Sequence, residues 1–168
     1  MYKKGVSDPN LMLNISHKFR GFLKENSILS TLKLELKTES QLEQTTKYLF
    51  KLADNQFIET VSMVMENRHT VCISSQIGCS IDCDFCATGK MGFNRNLSVG
   101  EIVDQLIYVR NNIANPITNV VYMGMGEPFL NYERVIKSAE IFHNPLGFNL
   151  GRHRITISTA GILPKIKQ

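Results

Sequence analysis

The sequence predicts an α/β fold in which a small α+β accessory region over residues 1–67 leads into the first three strands of a larger β/α domain over residues 68–168. One amphipathic helix followed by period-2 alternation of apolar and charged residues defines the first part. Beyond Asn67, apolar runs of strand length alternate with stretches of helical period, the grammar of a parallel sheet with helical crossovers. A third observation says where the chemistry lies. All four cysteines fall between Cys72 and Cys86, too crowded for the bridges of a disulfide framework.

Met1 to Asn10 shows no periodicity and reads as a mobile lead-in. Ile15, Phe19, Phe22 and Leu23 then share one helical face opposite Lys18, Arg20 and Lys24, with Ser16 as cap and an end near Asn26. Leu32, Leu34 and Leu36 alternate with Lys33, Glu35 and Lys37, as do Tyr48, Phe50 and Leu52 with their neighbours, each the signature of a strand with one buried face. Asp54-Asn55 supplies a turn before a further strand from Phe57 to Val64. In the second part, a strand over Thr70 to Ser74 enters the cysteine loop. Ser98 and Glu101 form a capping box for a helix reaching Asn112. Asn119 to Met123 is a short strand, and Asn131 caps a helix that Asn144-Pro145 stops. Arg154 to Ser158 is a third strand, and Ile162 to Gln168 resembles the opening of another helix.

Composition narrows the function classes. With 43% hydrophobic residues the chain can build a core, and its apolar runs fall short of the ~20 residues of a membrane span. The first ten residues lack the apolar stretch of a signal peptide, so the expected location is cytoplasmic. A formal charge of +4 permits an anionic partner such as RNA without demonstrating one.

Cys79, Cys83 and Cys86 are spaced C-x3-C-x2-C. Three soft sulfur ligands within eight residues can wrap one side of a compact centre, and on a four-iron cluster they leave one iron open for a small molecule. A structural zinc ion would want a fourth ligand, which Cys72 could provide, although its distance from Cys79 is not a usual spacing. The spacing favours iron–sulfur. Taken alone, Cys72 on its apolar strand reads as a core residue, and Gly124 and Gly126 as a turn. Yet Gly126 and Glu127 follow the second core strand at its carboxyl end, where ligands of such sheets bind. Glu59 shares a face with Phe57, Val61 and Met63. A carboxylate in such apolar surroundings would have a raised pKa suited to a general base, whereas on an edge strand it would face water.

The C-x3-C-x2-C motif with Asp84-Phe85 inside it resembles the radical S-adenosylmethionine (SAM) superfamily. More narrowly, CISSQIGCSIDCDFCATGKMGFNRNLSVGEI, TNVVYMGMGEPFLN and RITISTAGILP resemble, in that order, the family that methylates carbon 2 of an adenine in 23S rRNA and in tRNA. The resemblance runs from about Ile15 to Gln168 and implies a partial radical SAM (β/α) barrel. It also implies roles. Cys79, Cys83 and Cys86 would hold a [4Fe-4S] cluster whose open iron chelates SAM, and Gly126, Glu127 and Ser158 would contact SAM, Glu127 accepting from its ammonium. Cys72 would resolve a covalent enzyme–RNA intermediate by forming a disulfide with a methyl-carrying cysteine. Glu59 would remove the C2 proton. An electron donor such as flavodoxin or ferredoxin would be a partner, and a membrane would not.

Lys90, Arg95, Arg110, Arg152, Arg154, Lys165 and Lys167 flank the motifs and together suit a phosphate-facing rim, while the four dispersed histidines are assigned no chemistry. The sequence departs from the family in having no cysteine after Cys86, and in lacking later barrel strands and most of the helical domain that usually precedes Ile15. The expectation is an internal portion of a longer enzyme that assembles the cluster but does not methylate RNA by itself. Two alternatives stand beside it: a sister activity that methylates adenine carbon 8 and confers antibiotic resistance, and a zinc-stabilised RNA-binding module. Pro128 after Gly126-Glu127 resembles the C2 enzymes more.

Overall fold

The structure, a computed structural model, describes residues 6, 8–28 and 30–167. Of the predicted lead-in, residues 1–5 and Ser7 lie outside the described residues, as does Gln168 of the last predicted helix. Pro9–Leu11 is not a loose lead-in. It forms a 3-10 turn with Asp8 as cap, and Arg20 donates to the Asn10 carbonyl at 2.9 Å.

Helix α1 (His17–Asn26) starts where its cap predicts, the Ser16 hydroxyl accepting from the Phe19 N–H. Three strands follow as an antiparallel meander: β1 (Leu32–Glu39), β2 (Thr45–Leu52) and β3 (Phe57–Met65). In the turn between the last two, Asn55 takes φ +63°, which Asn tolerates because its short polar side chain can hydrogen-bond locally. One predicted alternation fails. Leu34 pairs with Phe50 but Leu36 with Leu49, so a bulge at Glu35 turns Leu36 onto the other face, where it is exposed.

Strand β4 (Arg68–Cys72) pairs antiparallel with β3, and from it the chain enters a hairpin of β5 (Gln76–Gly78) and β6 (Phe93–Asn96), with the short helix α2 (Ala87–Lys90) between them. Helix α3 (Val99–Asn111) carries the predicted capping box with Ser98, and β7 (Asn119–Tyr122) follows. Helix α4 (Tyr132–His143), β8 (Ile155–Ile157) and the single turn α5 (Leu163–Ile166) complete the chain. The sheet order is β1-β2-β3-β4-β7-β8, antiparallel up to β4 and parallel beyond it. Strand pairing therefore runs without a break across the predicted boundary at residues 67/68. The accessory strands extend the same sheet.

Each face of that sheet has its own character. Tyr48, Phe50, Ile58, Val71, Val120 and Tyr122 are buried on one side with Ile102, Leu106, Val135 and Phe142 of α3 and α4. Each such side chain contributes roughly 1.5–3 kcal/mol relative to exposure. Cross-strand partners share a face, so Leu49, Glu59, Val61, Cys72 and Val121 lie together on the other side, all only half-buried. Helix α1 has no buried residue; Phe19 and Phe22 stack on one another, and its apolar stripe meets no core among the described residues.

Candidate functional site

The three clustered cysteines sit on the loop between β5 and β6. Gly78 (φ +70°) opens this loop, and a Cβ there would fall 1.7 Å from the Gly92 carbonyl oxygen, so only glycine lets the hairpin close. The Cys79 N–H donates to that same carbonyl at 3.1 Å. Farther along, the Cys86 N–H donates to the Cys83 carbonyl at 3.0 Å and Cys86 caps α2, so the last two thiols ride on one tight turn.

Facing this loop are the carboxyl ends of β7 and β8. Between them lies a cleft of about 360 Å³, within the range of small-molecule sites, lined by Cys79, Cys83, Cys86, Gly126, Glu127 and Ser158 among others. Six residues singled out from sequence thus meet in one place. All four cysteines are free thiols, so the disulfide expected of Cys72 has no counterpart here. Among the described residues, no three His, Cys, Asp or Glu side chains are gathered as a single metal ion would require. Cys72 lies on the half-buried sheet face, outside the lining of the cleft that holds the other three cysteines. The three thiols lining the cleft supply the soft sulfur donors that an iron–sulfur cluster takes.

Gly126 takes φ +95°, and a Cβ there would lie 2.4 Å from the Gln76 Cβ. Glu127 is buried and more engaged than its expected role requires. Its Oε1 accepts from the Phe129 N–H at 2.9 Å and from the Thr159 hydroxyl at 2.7 Å, and its Oε2 accepts from the Ala160 N–H at 2.7 Å. A carboxylate offers about four acceptor positions, so about one remains for a ligand ammonium. Glu127 is first a clasp between two loops.

Glu59 corrects its prediction. Its side chain is 41% exposed and forms an ion pair with Lys47 at 2.5 Å, rather than resting among apolar groups. The pattern placed Glu59 with Val61 and Met63 correctly, but this is the face the helices leave uncovered, and Lys47 of β2 shares it. Cys72 is on the same face, cross-strand from Val61 and so one strand repeat from Glu59, roughly 7 Å along the strand. Burial pushes the Cys72 thiol pKa up, partly offset by a backbone hydrogen bond to Met123.

Other predicted residues have structural partners. Arg95 pairs with Asp54 at 2.7 Å and Glu101 at 2.8 Å, Lys90 with Asp82 at 3.2 Å, and Arg110 and Lys165 each lie over an aromatic ring. Only Arg152, Arg154 and Lys167 of the proposed rim remain exposed without an ion pair or ring contact among the described residues. Asn131 does not cap α4 with its side chain. It is buried and donates to the Ser75 and Leu97 carbonyls.

Sequence reasoning missed the polar residues under the cleft. The Ser74 hydroxyl donates to the Glu59 carbonyl at 2.6 Å and accepts from the Met125 N–H at 3.0 Å. Gln105 of α3 accepts from the Ser74 N–H and the Thr60 hydroxyl, each at 2.8 Å. The available signal was Ser74-Ser75-Gln76, a polar run directly continuing an apolar strand.

The profile of the radical SAM superfamily matches residues 73–168, the span that holds the cysteine loop and both facing strand ends. The chain belongs to the radical SAM superfamily. Its cofactors are accordingly a [4Fe-4S] cluster and SAM, which the three thiols and the facing cleft fit. This radical SAM chain is 46% identical over 162 residues to a protein of Pseudothermotoga lettingae named a probable dual-specificity RNA methyltransferase RlmN, covering 96% of the chain and 47% of that protein. A Thermotoga maritima protein of the same name is 48% identical over 168 residues, covering 100% of the chain and 49% of the relative. The crystal structure of a radical SAM methyltransferase from Sphaerobacter thermophilus superposes with a TM-score of 0.90 at 40% identity, covering 98% of this chain and 49% of that one. The chain thus spans about half the length of the curated relatives it matches.

Proposed function

We propose that this chain is the cluster-binding part of a radical SAM RNA methyltransferase that acts on adenine carbon 2 of 23S rRNA and tRNA. The observation that carries the reading is the convergence of Cys79, Cys83 and Cys86 with Gly126, Glu127 and Ser158 on one cleft, while Glu59 and Cys72 share the adjoining sheet face. The names of the similar proteins and Pro128 after Gly126-Glu127 support the RNA substrate and the C2 position.

Cys79, Cys83 and Cys86 would hold the cluster through their thiolates. When bound, the cluster and SAM supply a one-electron reductive cleavage that generates a reactive carbon radical. The chain positions that chemistry. Gly126, without a side chain, lets its loop pack against Gln76 at the edge of the cleft, and Glu127 keeps about one acceptor site for an ammonium group. Glu59 would accept a proton once an incoming substrate displaces Lys47 from it. Cys72, one strand repeat away, would attack as its thiolate the sulfur of the methyl-carrying cysteine, forming the disulfide as the bond from that sulfur to the RNA-borne carbon breaks and that carbon takes up a proton. A flavodoxin- or ferredoxin-type donor delivers the electron at the cysteine loop, where Phe85 is 94% exposed.

No cysteine follows Cys86 in these 168 residues, so they hold no counterpart of the methyl-carrying cysteine that the family resemblance implies. The polypeptide by itself is proposed to bind cluster and SAM without methylating RNA. The test incubates the anaerobically reconstituted polypeptide with SAM, reductant and unmodified rRNA. Iron and sulfide uptake with no methyladenosine by mass spectrometry is expected. C2-methyladenosine would overturn the claim that the chain is incompetent alone, C8-methyladenosine the regiochemistry as well, and a colourless zinc-only protein the whole reading.

A further inference from the structure

Gln76 is the first residue of β5 and only 1% exposed. Its Oε1 accepts from the Glu127 N–H at 2.8 Å, and its Nε2 donates to Asn96 Oδ1 at 2.7 Å. Asn96 is its partner across the β5–β6 hairpin that carries the cysteine loop. Glu127 belongs to the loop on the opposite wall of the cleft. One carboxamide therefore connects the wall bearing the thiols to the wall bearing Gly126 and Glu127.

The backbone reinforces the same junction. The N–H groups of Ser75 and Gln76 both donate to the Met125 carbonyl, at 2.9 and 3.1 Å. Gly126 is glycine for the same reason, because any Cβ would strike Gln76 at 2.4 Å. The side chain is thus confined between Gly126 and Asn96, and it supplies the acceptor for a backbone N–H that is otherwise shut away from water.

We propose that Gln76 is a positioning residue that sets the Gly126-Glu127 loop at a fixed distance from the cysteine loop, so that SAM is gripped from both walls of the cleft. This rests on the reading of the cleft as the cluster and SAM site. It assigns Gln76 no contact with either cofactor. Removing the acceptor frees the Glu127 end of the cleft while leaving the hydrogen bonds of the cysteine loop in place, so cluster assembly and SAM binding separate.

The experiment uses the full polypeptide, reconstituted anaerobically, with three substitutions. Gln76→Met removes both hydrogen bonds at similar volume, and Gln76→Glu retains an acceptor for the Glu127 N–H. Asn96→Ala removes the anchor of the carboxamide at a half-buried position. Iron and sulfide per chain, SAM affinity by equilibrium dialysis, and the electron paramagnetic resonance of the reduced cluster with and without SAM are measured. Gln76→Met is expected to load iron as the parent does, to bind SAM about tenfold more weakly and to lose most of the SAM-dependent spectral change. Gln76→Glu keeps the acceptor for the Glu127 N–H but loses the donor to Asn96, and should bind SAM more weakly than the parent. Parental SAM affinity in Gln76→Met would overturn the proposal. If Gln76→Met does not fold, Asn96→Ala decides, weaker SAM binding on a full cluster supporting the proposal and unchanged binding rejecting it. Failure of the parent to load iron would instead reject the reading of the site.

Discussion

The Thr159 hydroxyl stands 2.7 Å from Glu127 Oε1 and donates to it, tying the loop after β8 to the loop after β7. With the Phe129 and Ala160 N–H groups on the same carboxylate, both oxygens are needed. Glu127→Gln offers a single acceptor oxygen, so one of these backbone donors is stranded, at a cost of about 1–3 kcal/mol. For a domain of this size each kcal/mol lowers the thermal midpoint by roughly 2–4 °C. Thermal denaturation followed by circular dichroism checks this, and an unchanged midpoint would show that the clasp does not stabilise the fold.

The four cysteines should divide into three and one. Cys79→Ala, Cys83→Ala and Cys86→Ala each remove a thiol from the lining of the cleft and should abolish stable iron incorporation. Cys72→Ala should leave iron and sulfide at the parental level, because Cys72 lies on the neighbouring sheet face. Iron analysis of the reconstituted variants decides it. Loss of metal in Cys72→Ala would revive a four-thiol site.

Burial holds the Cys72 thiol above the ordinary thiol range, so at neutral pH it is protonated and its thiolate chemistry should accelerate as pH rises through that elevated pKa. Alkylation of the cluster-loaded protein by iodoacetamide, followed on the Cys72 peptide by mass spectrometry, should have its half-point above about pH 8.5. A half-point at or below that of a free thiol contradicts the environment described.

His69 is buried between Ser62 and the Asn115 carbonyl, with Nε2 at 2.7 Å from the Ser62 hydroxyl and Nδ1 at 3.2 Å from the carbonyl. The carbonyl can only accept, so Nδ1 carries the proton and neutral Nε2 accepts from Ser62. Burial lowers the His69 pKa below its ordinary 6.5, the Asn115 hydrogen bond offsetting this in part. Below that ordinary value the unfolded chain takes up a proton the folded one refuses. Stability is therefore lost as pH falls from 6.5 toward the depressed folded pKa. Urea unfolding at a series of pH values should show this decline, and His69→Gln should flatten it.

Arg95 joins three elements, donating to Asp54 in the β2–β3 turn and to both oxygens of Glu101 on α3. Burial raises the Glu101 pKa, but the hydrogen bonds from Arg95 and Ser98 outweigh it and hold the carboxyl below its usual value. Arg95→Met leaves that largely buried carboxylate with only its cap contacts and should cost about 1–3 kcal/mol. Urea unfolding measures it. A loss below about 0.5 kcal/mol would mean the pair is a solvated surface contact.

Elements with a local cause were legible. Ser16 and Ser98 cap the helices they announce, and Tyr48, Phe50 and Leu52 are buried as their alternation requires. The β5–β6 hairpin was not, because strands of three and four residues around the cysteine loop are too short to show a period. Leu36 failed for a related reason: the bulge at Glu35 exists only in the pairing with β2.

The cysteine spacing and the strand-end motifs by themselves determined the chemical class, since ligands within a few residues of one another are gathered by local turns and their spacing survives in any fold that carries them. Tertiary structure alone decided which face of the sheet the helices cover, and so whether Glu59 meets apolar groups or Lys47. It alone brought Gln76 to Glu127, residues 51 apart in the chain. Such contacts depend on register and crossover geometry, which arise from packing the whole sheet at once and leave no trace in the spacing of neighbouring residues.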